Sequence, residues 1–326
     1  MSERLSALAF DVSTHPRKLI RAGFGEALLE LGERNPNVVA LSADLACVTG
    51  VKEFAQKFPD RAFNVGIAEQ NLVGIAAGLA SCGLVPFATT YAPFLTLRAL
   101  EQIRDDVAYT KFNVKMAAAC TGISYGPGGS THHSTEDIAL MRSLPNMTVL
   151  VPADARECYK ATLAAADQPG PVYIRMGAPR AEDFVVYRED YDYRIGKSVR
   201  LREGEDVTII ATGVLVFHAM LASDLLRQEG LGVRVVNMHT IKPIDRAEII
   251  AAARDTGRIV TAEEHSVIGG LGGAVAEVVV QECPVPMRMV AIPDIFASIG
   301  PTLQLYAKYG LTWDGIARVA REFVRR

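Results

Sequence analysis

The chain has 326 residues, of which 49% are hydrophobic and 22% charged, and its 34 Lys+Arg and 37 Asp+Glu give a formal net charge of −3. This length predicts about two globular domains, and the near-neutral charge argues against a nucleic-acid partner, which requires a basic excess. The long uncharged run 72–97 is broken by Gly83, Pro86 and Pro93, so we predict no membrane span. The first residues lack a signal-peptide pattern, and the five cysteines are widely separated, which favours the cytoplasm.

Strand and helix patterns alternate through the first half of the chain, starting with apolar residues at helical spacing over 18–34. The further predicted helices are 51–58, 69–82, 94–110, 135–143 and 155–166, and the predicted strands are 38–42, 62–65, 85–90, 114–119, 148–151 and 172–175. Repeated strand–helix–strand units predict a parallel sheet covered by helices on both faces.

A charged segment with three tyrosines, 179–196, predicts a linker. A second alternating unit follows it, with predicted strands at 207–211, 233–237, 258–261 and 287–291 and predicted helices at 215–228, 246–256, 272–281 and 312–325. We therefore predict an α/β protein with a second, smaller α/β domain.

Four segments that follow predicted strands indicate a single site, because ligands of parallel sheets bind at the carboxyl ends of the strands. These segments are 42–44, 66–69, 89–91 and 120–133. Glu69 lies at a strand-to-helix corner, and Tyr91 and Phe94 follow the next strand. A carboxyl group desolvated by aromatic rings suits proton sharing with a ring nitrogen. The alternative is that Glu69 only places a negative charge at the start of a helix.

From about Arg17 to the end, the chain resembles the C-terminal half of the transketolase family of thiamine-diphosphate enzymes. The runs that carry the resemblance, in the family's order, are NVGIAEQNLVGIAAGLA (64–80), VPFATTYAPF (85–94), RALEQIR (98–104), GISYGPGGSTHHSTEDIALMRSLPNMTVLVPAD (122–154) and HTIKPID (239–245). The resemblance implies a parallel-sheet pyrimidine-binding domain over 1–186 and a smaller transketolase C-terminal domain over 187–326.

The resemblance also implies roles in binding thiamine diphosphate. In this family the glutamate matched by Glu69 hydrogen-bonds N1′ of the aminopyrimidine, and Tyr91 and Phe94 match the aromatic positions that hold the pyrimidine ring. Asp44 and Leu45 match residues that line the thiazolium end of the cofactor; the alternative reading is a strand-end turn with one core leucine. The cofactor itself supplies the carbanion chemistry.

The family's motif for diphosphate and Mg²⁺ is missing, because the sequence contains no GDG. A hard divalent cation needs oxygen ligands placed by such a loop, and the glycine-rich run 269–273 is more typical of a tight turn before a helix. The histidines and cysteines show no metal-ligand spacing. We therefore predict no metal ligand in this chain and a separate N-terminal subunit that carries the GDG domain. The two subunits would form an α2β2 heterotetramer that uses thiamine diphosphate and Mg²⁺.

The substrate positions match the family only in part. Arg17 matches an arginine that grips the sugar phosphate, and Cys120 replaces a histidine. His132 matches a histidine near the reacting carbonyl, where an imidazole could donate to a developing alkoxide; the alternative is a loop histidine that caps 135–137. The family's serine, aspartate and second phosphate-binding arginine are replaced by Val48, Gly128 and Ala178. A lost guanidinium removes a charge-assisted contact, so we expect a small-molecule substrate other than the usual ketose phosphate in its usual pose.

We predict the C-terminal (beta) subunit of a split transketolase-type transferase, active only with its partner, that transfers a ketol (glycolaldehyde) or acyl unit. The alternatives are the beta subunit of a 2-oxo-acid dehydrogenase's decarboxylating component, a deoxyxylulose-phosphate-synthase-like acyl transferase, and a non-catalytic relative. The runs SLPNMTVLVPAD and EEHSVIGGLGGAV argue against the dehydrogenase subunit. Donor, acceptor and pathway are not indicated by the sequence.

Overall fold

The computed structural model of the chain describes residues 14–178, 183–187 and 189–325. The strands are β1 (Arg17–Lys18), β2 (Val38–Ser42), β3 (Ala62–Asn64), β4 (Val85–Tyr91), β5 (Lys115–Ala119), β6 (Thr148–Leu150), β7 (Val172–Arg175), β8 (Asp183–Phe184), β9 (Val199–Arg202), β10 (Val207–Ala211), β11 (Val233–Asn237), β12 (Thr240–Lys242), β13 (Ile259–Ser266) and β14 (Met287–Ile292). The helices are α1 (Ile20–Arg34), α2 (Ala46–Thr49), α3 (Lys52–Lys57), α4 (Glu69–Ser81), α5 (Leu100–Gln102), α6 (Asp137–Ser143), α7 (Ala155–Asp167), α8 (Leu215–Gln228), α9 (Arg246–Thr256), α10 (Leu271–Glu282), α11 (Thr302–Lys308) and α12 (Trp313–Val324).

The first sheet has the order β12-β6-β7-β5-β4-β2-β3 within the described chain, and its strands are parallel except β12. Side chains of a strand alternate between the two faces of a sheet. In β2, Val39 and Leu41 pack in the same core as α4, whereas Val38 and Ala40 pack in the core that includes α1 and α7. Helices therefore cover both faces, which confirms the predicted α/β class.

The second sheet has the order β14-β13-β10-β11-β9 in the part of the chain that the structure describes, with β9 as an antiparallel edge strand. Helices α8 and α12 pack on one face. Helices α9 and α10 pack on the other face, in the same continuous core as residues of the first domain. None of the helices in the described ranges combines the length and the apolarity needed to cross a membrane.

The predicted strands and helices are present with small shifts at their ends, but the region 94–110 is not a regular α-helix. Residues Phe94–Arg98 and Ile103–Tyr109 form wider π-helical turns on either side of α5. Such turns are rare and often occur at functional sites. Several short elements had no prediction: β1, β8, β9, β12, α2 and α11. Strand β12 belongs to the second half of the chain in sequence, but it pairs with β6 and so extends the first sheet.

The segment 179–196, predicted as a linker, is held against both domains where it is described; residues 179–182 and 188 lie outside the described residues. Strand β8 pairs antiparallel with β1. Tyr187 and Tyr191 stack on each other with ring centroids 4.3 Å apart. The buried Asn237 donates to the Tyr187 hydroxyl at 2.7 Å and to the Glu157 carboxylate at 2.8 Å. The described part of this segment therefore packs between the two domains that it connects, because its tyrosines bury their rings and hydroxyls there.

Buried charges join the two domains at the end of β7. The Arg175 guanidinium, 4% exposed, donates to the Asp137 carboxylate at 2.8 Å and to the backbone oxygen of Glu264 at 2.8 Å. Burial raises the pKa of the Glu264 carboxyl to about 7, against the opposing effect of Arg175. Buried charges are tolerated when they are paired and hydrogen-bonded, so this cluster fixes how the second domain lies on the first.

We predict that Glu264 makes stability depend on pH. Its carboxyl keeps a proton to about pH 7 in the folded chain, against about 4.5 as its ordinary pKa. Between these two pH values the unfolded chain loses the Glu264 proton and the folded chain keeps it. The stability that protonated Glu264 contributes is therefore fully present below about pH 4.5 and is lost as pH rises through about 7. The unfolding free energy of Glu264→Gln minus that of wild type should therefore increase as pH rises from about 4.5 to about 7. The increase should be at most about 1.4 kcal/mol per pH unit.

The measurement is urea unfolding of both proteins between pH 4.5 and 8. The control is Glu205→Gln at an exposed position, which measures the effect of removing a surface carboxylate under the same conditions. A difference between Glu264→Gln and wild type that is constant across this range would contradict the prediction.

Candidate functional site

Four neighbouring parallel strands, β3, β2, β4 and β5, end at one edge of the first sheet. Asp44 follows β2, Glu69 begins α4 after β3, Tyr91 ends β4 and Cys120 follows β5. The parallel register thus brings together the segments that the sequence analysis selected. Asp44 and Cys120 have φ of 60° and 58°, a left-handed conformation that non-glycine residues rarely adopt and that recurs at functional sites.

Asp44 is fixed by Asn64, a residue that the sequence analysis did not single out. The Asp44 backbone N–H donates to the Asn64 side-chain oxygen at 3.0 Å, and the Asn64 amide donates to the Asp44 carboxylate at 3.0 Å. The same Asn64 oxygen accepts the Gly66 N–H at 3.1 Å. Leu45, beside Asp44, packs against the core that contains Tyr91. The ends of β2 and β3 are therefore tied together directly before α4.

Glu69 is buried at the start of α4, with 2% of its surface exposed, and is paired with Arg98. The Arg98 guanidinium donates to Glu69 Oε2 at 2.7 Å and lies 4.6 Å from the centre of the Phe94 ring. Arg98 is the last residue of the π-helical turn Phe94–Arg98. This turn therefore places Phe94 and Arg98 beside the carboxylate, and the arginine leaves Glu69 Oε1 available to a ligand. Arg98 was quoted as part of a sequence run but was not predicted as a site residue.

Four rings form a cluster that meets the Arg98 guanidinium at Phe94: Tyr91, Phe94, Tyr125 and His132. The His132 ring lies 5.2 Å from Phe94, 5.6 Å from Tyr125 and 6.2 Å from Tyr91, in each case edge-on. Its Nδ1 atom is 2.9 Å from the Thr131 hydroxyl, and its Nε2 atom has no hydrogen-bond partner among the described residues. The cluster therefore presents one imidazole nitrogen beside three aromatic rings. Tyr125 was missed because ring contacts between distant loops leave no local sequence signal.

The structure explains the glycine at position 128, where the family has an aspartate. A Cβ atom on Gly128 would lie 2.6 Å from the Tyr125 ring and 2.7 Å from Cβ of His132. Real Cβ atoms do not approach this closely, so a side chain at 128 is incompatible with the contact between Tyr125 and His132.

The predicted substrate residues do not all reach the ring cluster. Cys120 is buried in the same core as Tyr91, and its N–H donates to the Gly177 oxygen at 3.1 Å. Arg17 is exposed on β1, with its guanidinium 4.3 Å from the Phe184 ring centre. Its contact is thus with β8, and no contact between Arg17 and the ring cluster is present in the described ranges. Val48 and Ala178 place no charge at this edge of the sheet.

No group of three or more His, Cys, Asp or Glu side chains in the described residues could hold a metal ion. The glycine-rich run 269–273 leads into α10, as expected for a turn before a helix. The Glu263 carboxylate accepts the N–H groups of Leu271 at 2.6 Å and Gly272 at 2.8 Å. A carboxylate already occupies the helix start that would attract a phosphate, so this run does not replace the missing diphosphate motif.

The fold and site define a two-domain α/β protein with a buried carboxylate and a ring cluster at the carboxyl edge of a parallel sheet. Two family models match it: "Transketolase, pyrimidine binding domain" over residues 18–181 and "Transketolase, C-terminal domain" over residues 196–316. The chain therefore belongs to the transketolase family, and the matches cover that family's pyrimidine-binding and C-terminal domains.

Several relatives are similar over almost their whole length. The 6-deoxy-6-sulfo-D-fructose transketolase subunit SqwH of Clostridium sp. (strain MSTE9) is 42% identical over 94% of this chain and 95% of that protein. An apulose-4-phosphate transketolase subunit of Phocaeicola vulgatus is 42% identical over 94% of this chain and 97% of its own. A solved structure described as "Split gene transketolase, inactive beta4 tetramer" is 46% identical in sequence. The match covers 94% of this chain and 98% of the chain in that structure, with a TM-score of 0.86. These matches confirm the predicted family and the transferase class.

We predict that Arg98 supports turnover by orienting Glu69. Arg98→Met should lower turnover of the assembled enzyme about tenfold, the equivalent of one charge-assisted hydrogen bond. Because the buried Glu69 carboxylate loses its partner, the free energy of unfolding of the protein should also fall, by about 1 to 3 kcal/mol.

Steady-state turnover and urea unfolding of the same preparations separate these two effects. Arg98→Lys should be intermediate, since lysine keeps the charge and loses the planar fork. Arg104→Met is the matched control, because Arg104 pairs with its exposed neighbour Asp105. Wild-type turnover in Arg98→Met would show that the arginine has no such role.

Proposed function

We propose that this chain holds the pyrimidine and thiazolium parts of thiamine diphosphate at the site formed by Glu69, Tyr91, Phe94, Asp44 and Leu45. The observation that carries the proposal is the buried Glu69 carboxylate, which Arg98 joins to the Phe94 ring of the cluster. A flat aromatic heterocycle with a basic nitrogen fits such a place, because the rings cover its faces and the carboxylate meets its nitrogen. When bound, the cofactor supplies the carbanion chemistry.

The roles of the side chains follow from their positions. Glu69 would hold or share a proton at the pyrimidine nitrogen through Oε1, while Arg98 fixes Oε2. Tyr91 and Phe94 would exclude water from the carboxylate, which strengthens the hydrogen bond to the ring. His132 would donate through Nε2 to the oxygen of the substrate carbonyl as negative charge develops on it.

The partner in this proposal is an N-terminal subunit that holds the diphosphate and Mg²⁺ through a GDG motif. Two observations support it: the sequence lacks that motif, and two similar proteins are named as transketolase subunits. We propose an α2β2 heterotetramer in the cytoplasm. The solved relative described as a beta4 tetramer supports assembly through subunits of this type and is itself described as inactive.

The substrate we propose is a small ketose other than the usual ketose phosphate in its usual pose. Val48 and Ala178 lack the polar and charged groups of the family's phosphate clamp, and no side chain fits at Gly128. Of the predicted substrate residues, His132 would contact the substrate. Cys120 is fully buried and Arg17 contacts Phe184, so we propose no direct contact of either residue with the substrate. The names of two relatives, which concern a sulfo-ketose and apulose 4-phosphate, support such a substrate class.

Acyl transfer is the second candidate. It is supported by 39% identity over 302 residues with the 1-deoxy-D-xylulose-5-phosphate synthase of Syntrophotalea carbinolica, of which this chain covers 47%. The same donor screen that tests ketol transfer distinguishes the two activities, because a 2-oxo acid would then serve as donor in place of a ketose.

Glu69→Gln tests the central assignment. An amide cannot exchange a proton with the ring nitrogen as a carboxyl group can. Turnover of the assembled enzyme should therefore fall at least about a hundredfold, which is in the range for loss of a general acid–base group. Size-exclusion chromatography should show unchanged association with the partner. Glu101→Gln is the control, since Glu101 is exposed and its carboxylate contacts only the neighbouring Gln102 among the described residues. Turnover near the wild-type level in Glu69→Gln would refute the assignment.

The substrate proposal predicts poor use of xylulose 5-phosphate with ribose 5-phosphate. A missing guanidinium in a phosphate clamp corresponds to a loss of about 1.5 to 3 kcal/mol, or about ten- to a hundredfold in kcat/KM. The measurement compares this pair with unphosphorylated and sulfonated ketoses as donors. If xylulose 5-phosphate and ribose 5-phosphate turn over with the highest kcat/KM of the screen, the substrate proposal fails, although the Glu69 assignment stands.

A further inference from the structure

The loop 121–134 supplies two rings of the cluster, Tyr125 and His132, and packs against the C-terminal domain. We infer that the C-terminal domain positions the substrate side of the site, with Thr302 and Glu264 as positioning residues for the loop. The inference rests on the proposed function, which gives the loop its substrate role. It assigns a task to a domain that contributes none of the predicted site residues.

Gly126 carries the argument most directly. Its φ is not in the left-handed region, so its backbone would accept any residue. A Cβ atom at this position would nevertheless lie 2.3 Å from the Gly300 carbonyl oxygen of the C-terminal domain. The Gly300 N–H in turn donates to the Gly126 oxygen at 3.3 Å. Position 126 is therefore a glycine because two backbones from different domains touch there.

Two more glycines of the loop face the C-terminal domain. A Cβ atom on Gly122 would lie 2.4 Å from the Glu264 carboxyl carbon, and one on Gly129 would lie 2.8 Å from the Ile299 side chain. Both also have positive φ, of 56° and 68°. The glycine-rich composition of the loop thus reflects close packing on the second domain as well as its backbone conformation.

Side chains of the C-terminal domain also satisfy the polar backbone of the loop. The Thr302 hydroxyl donates to the Ser124 oxygen at 3.1 Å and accepts the Gly126 N–H at 3.3 Å. The Glu264 carboxylate accepts the Ile123 N–H at 2.9 Å. These contacts lie on both sides of Tyr125 in the sequence. Since buried backbone groups need partners, removing the hydroxyl or the carboxylate leaves loop groups unpaired and favours opening of the loop.

The position of the loop determines the ring cluster. Tyr125 contacts His132 at 5.6 Å and Tyr91 at 6.4 Å between ring centres. Both Tyr125 and His132 belong to the loop, whereas Tyr91 and Phe94 belong to the β4 end of the site. A displaced loop would therefore separate the substrate-facing rings from the cofactor-facing rings and leave Glu69 in place.

Hydrogen–deuterium exchange of the full chain tests the inference without any turnover measurement. Thr302→Val removes both hydroxyl hydrogen bonds and keeps the shape, so exchange in peptides covering 120–135 should become about five- to thirtyfold faster. Thr302→Ser keeps the hydroxyl and should restore exchange to within about twofold of wild type. The control is Ser298→Ala, because the Ser298 hydroxyl bonds Lys308 and Tyr309 within its own domain.

A second pair of variants keeps the test valid if Thr302→Val does not fold. Gly126→Ala pushes the loop away from Gly300 and should accelerate exchange in the same peptides. Gly78→Ala adds a methyl group where nothing lies within 4 Å and should not. Unchanged exchange in Thr302→Val or Gly126→Ala, or equal acceleration in Thr302→Ser, would overturn the inference. Loss of the Glu69 assignment would instead appear only in turnover, so the two failures are distinguishable.

Discussion

Arg175 lies at the end of β7, and its guanidinium meets a carboxylate of each domain. Asp137 holds one side of it at 2.8 Å, and Glu264 approaches from the second domain with its backbone oxygen at 2.8 Å and its carboxylate at 3.8 Å. Removal of one partner from such a buried group costs about 3 to 5 kcal/mol, because the remaining charge stays unpaired. The same Glu264 carboxylate accepts an N–H of the loop 121–134. The arrangement of the domains and the position of the loop therefore depend on one buried cluster.

The edge of the first sheet has two halves with different supports. The carboxylate half, with Glu69 and Arg98, is built by α4 and the π-helical turn that follows β4, so it needs only the first domain. The imidazole half, with His132 and Tyr125, is built by the loop that the second domain holds. Both halves lie on this one chain, so the carboxylate and the imidazole come together through the packing of its own two domains.

Much of the fold followed from periodicity, since long buried strands and helices such as β10 and α8 have unambiguous patterns. The short strands β1, β8 and β12 had no prediction, because two or three residues carry no periodicity and their pairing partners lie more than 80 residues away. The π-helical turn at Phe94–Arg98 also escaped prediction, since its sequence fits an ordinary helix equally well. Among the predicted site residues, Glu69, Tyr91 and Phe94 lie at or shortly after the ends of strands and could be selected from the sequence, whereas Arg98 could not.

The sequence by itself determined the α/β class, the two alternating units, the family and the absence of the GDG motif, because each of these depends on local pattern or on residue identity. Tertiary structure alone decided that Arg98 pairs with Glu69, that Tyr125 joins the ring cluster and that the loop glycines lie against Gly300 and Glu264. Those contacts join residues that are distant along the chain, and their geometry depends on how the two domains pack. Local sequence patterns do not determine that packing, because it depends on the shapes of two surfaces that form only when both domains are folded.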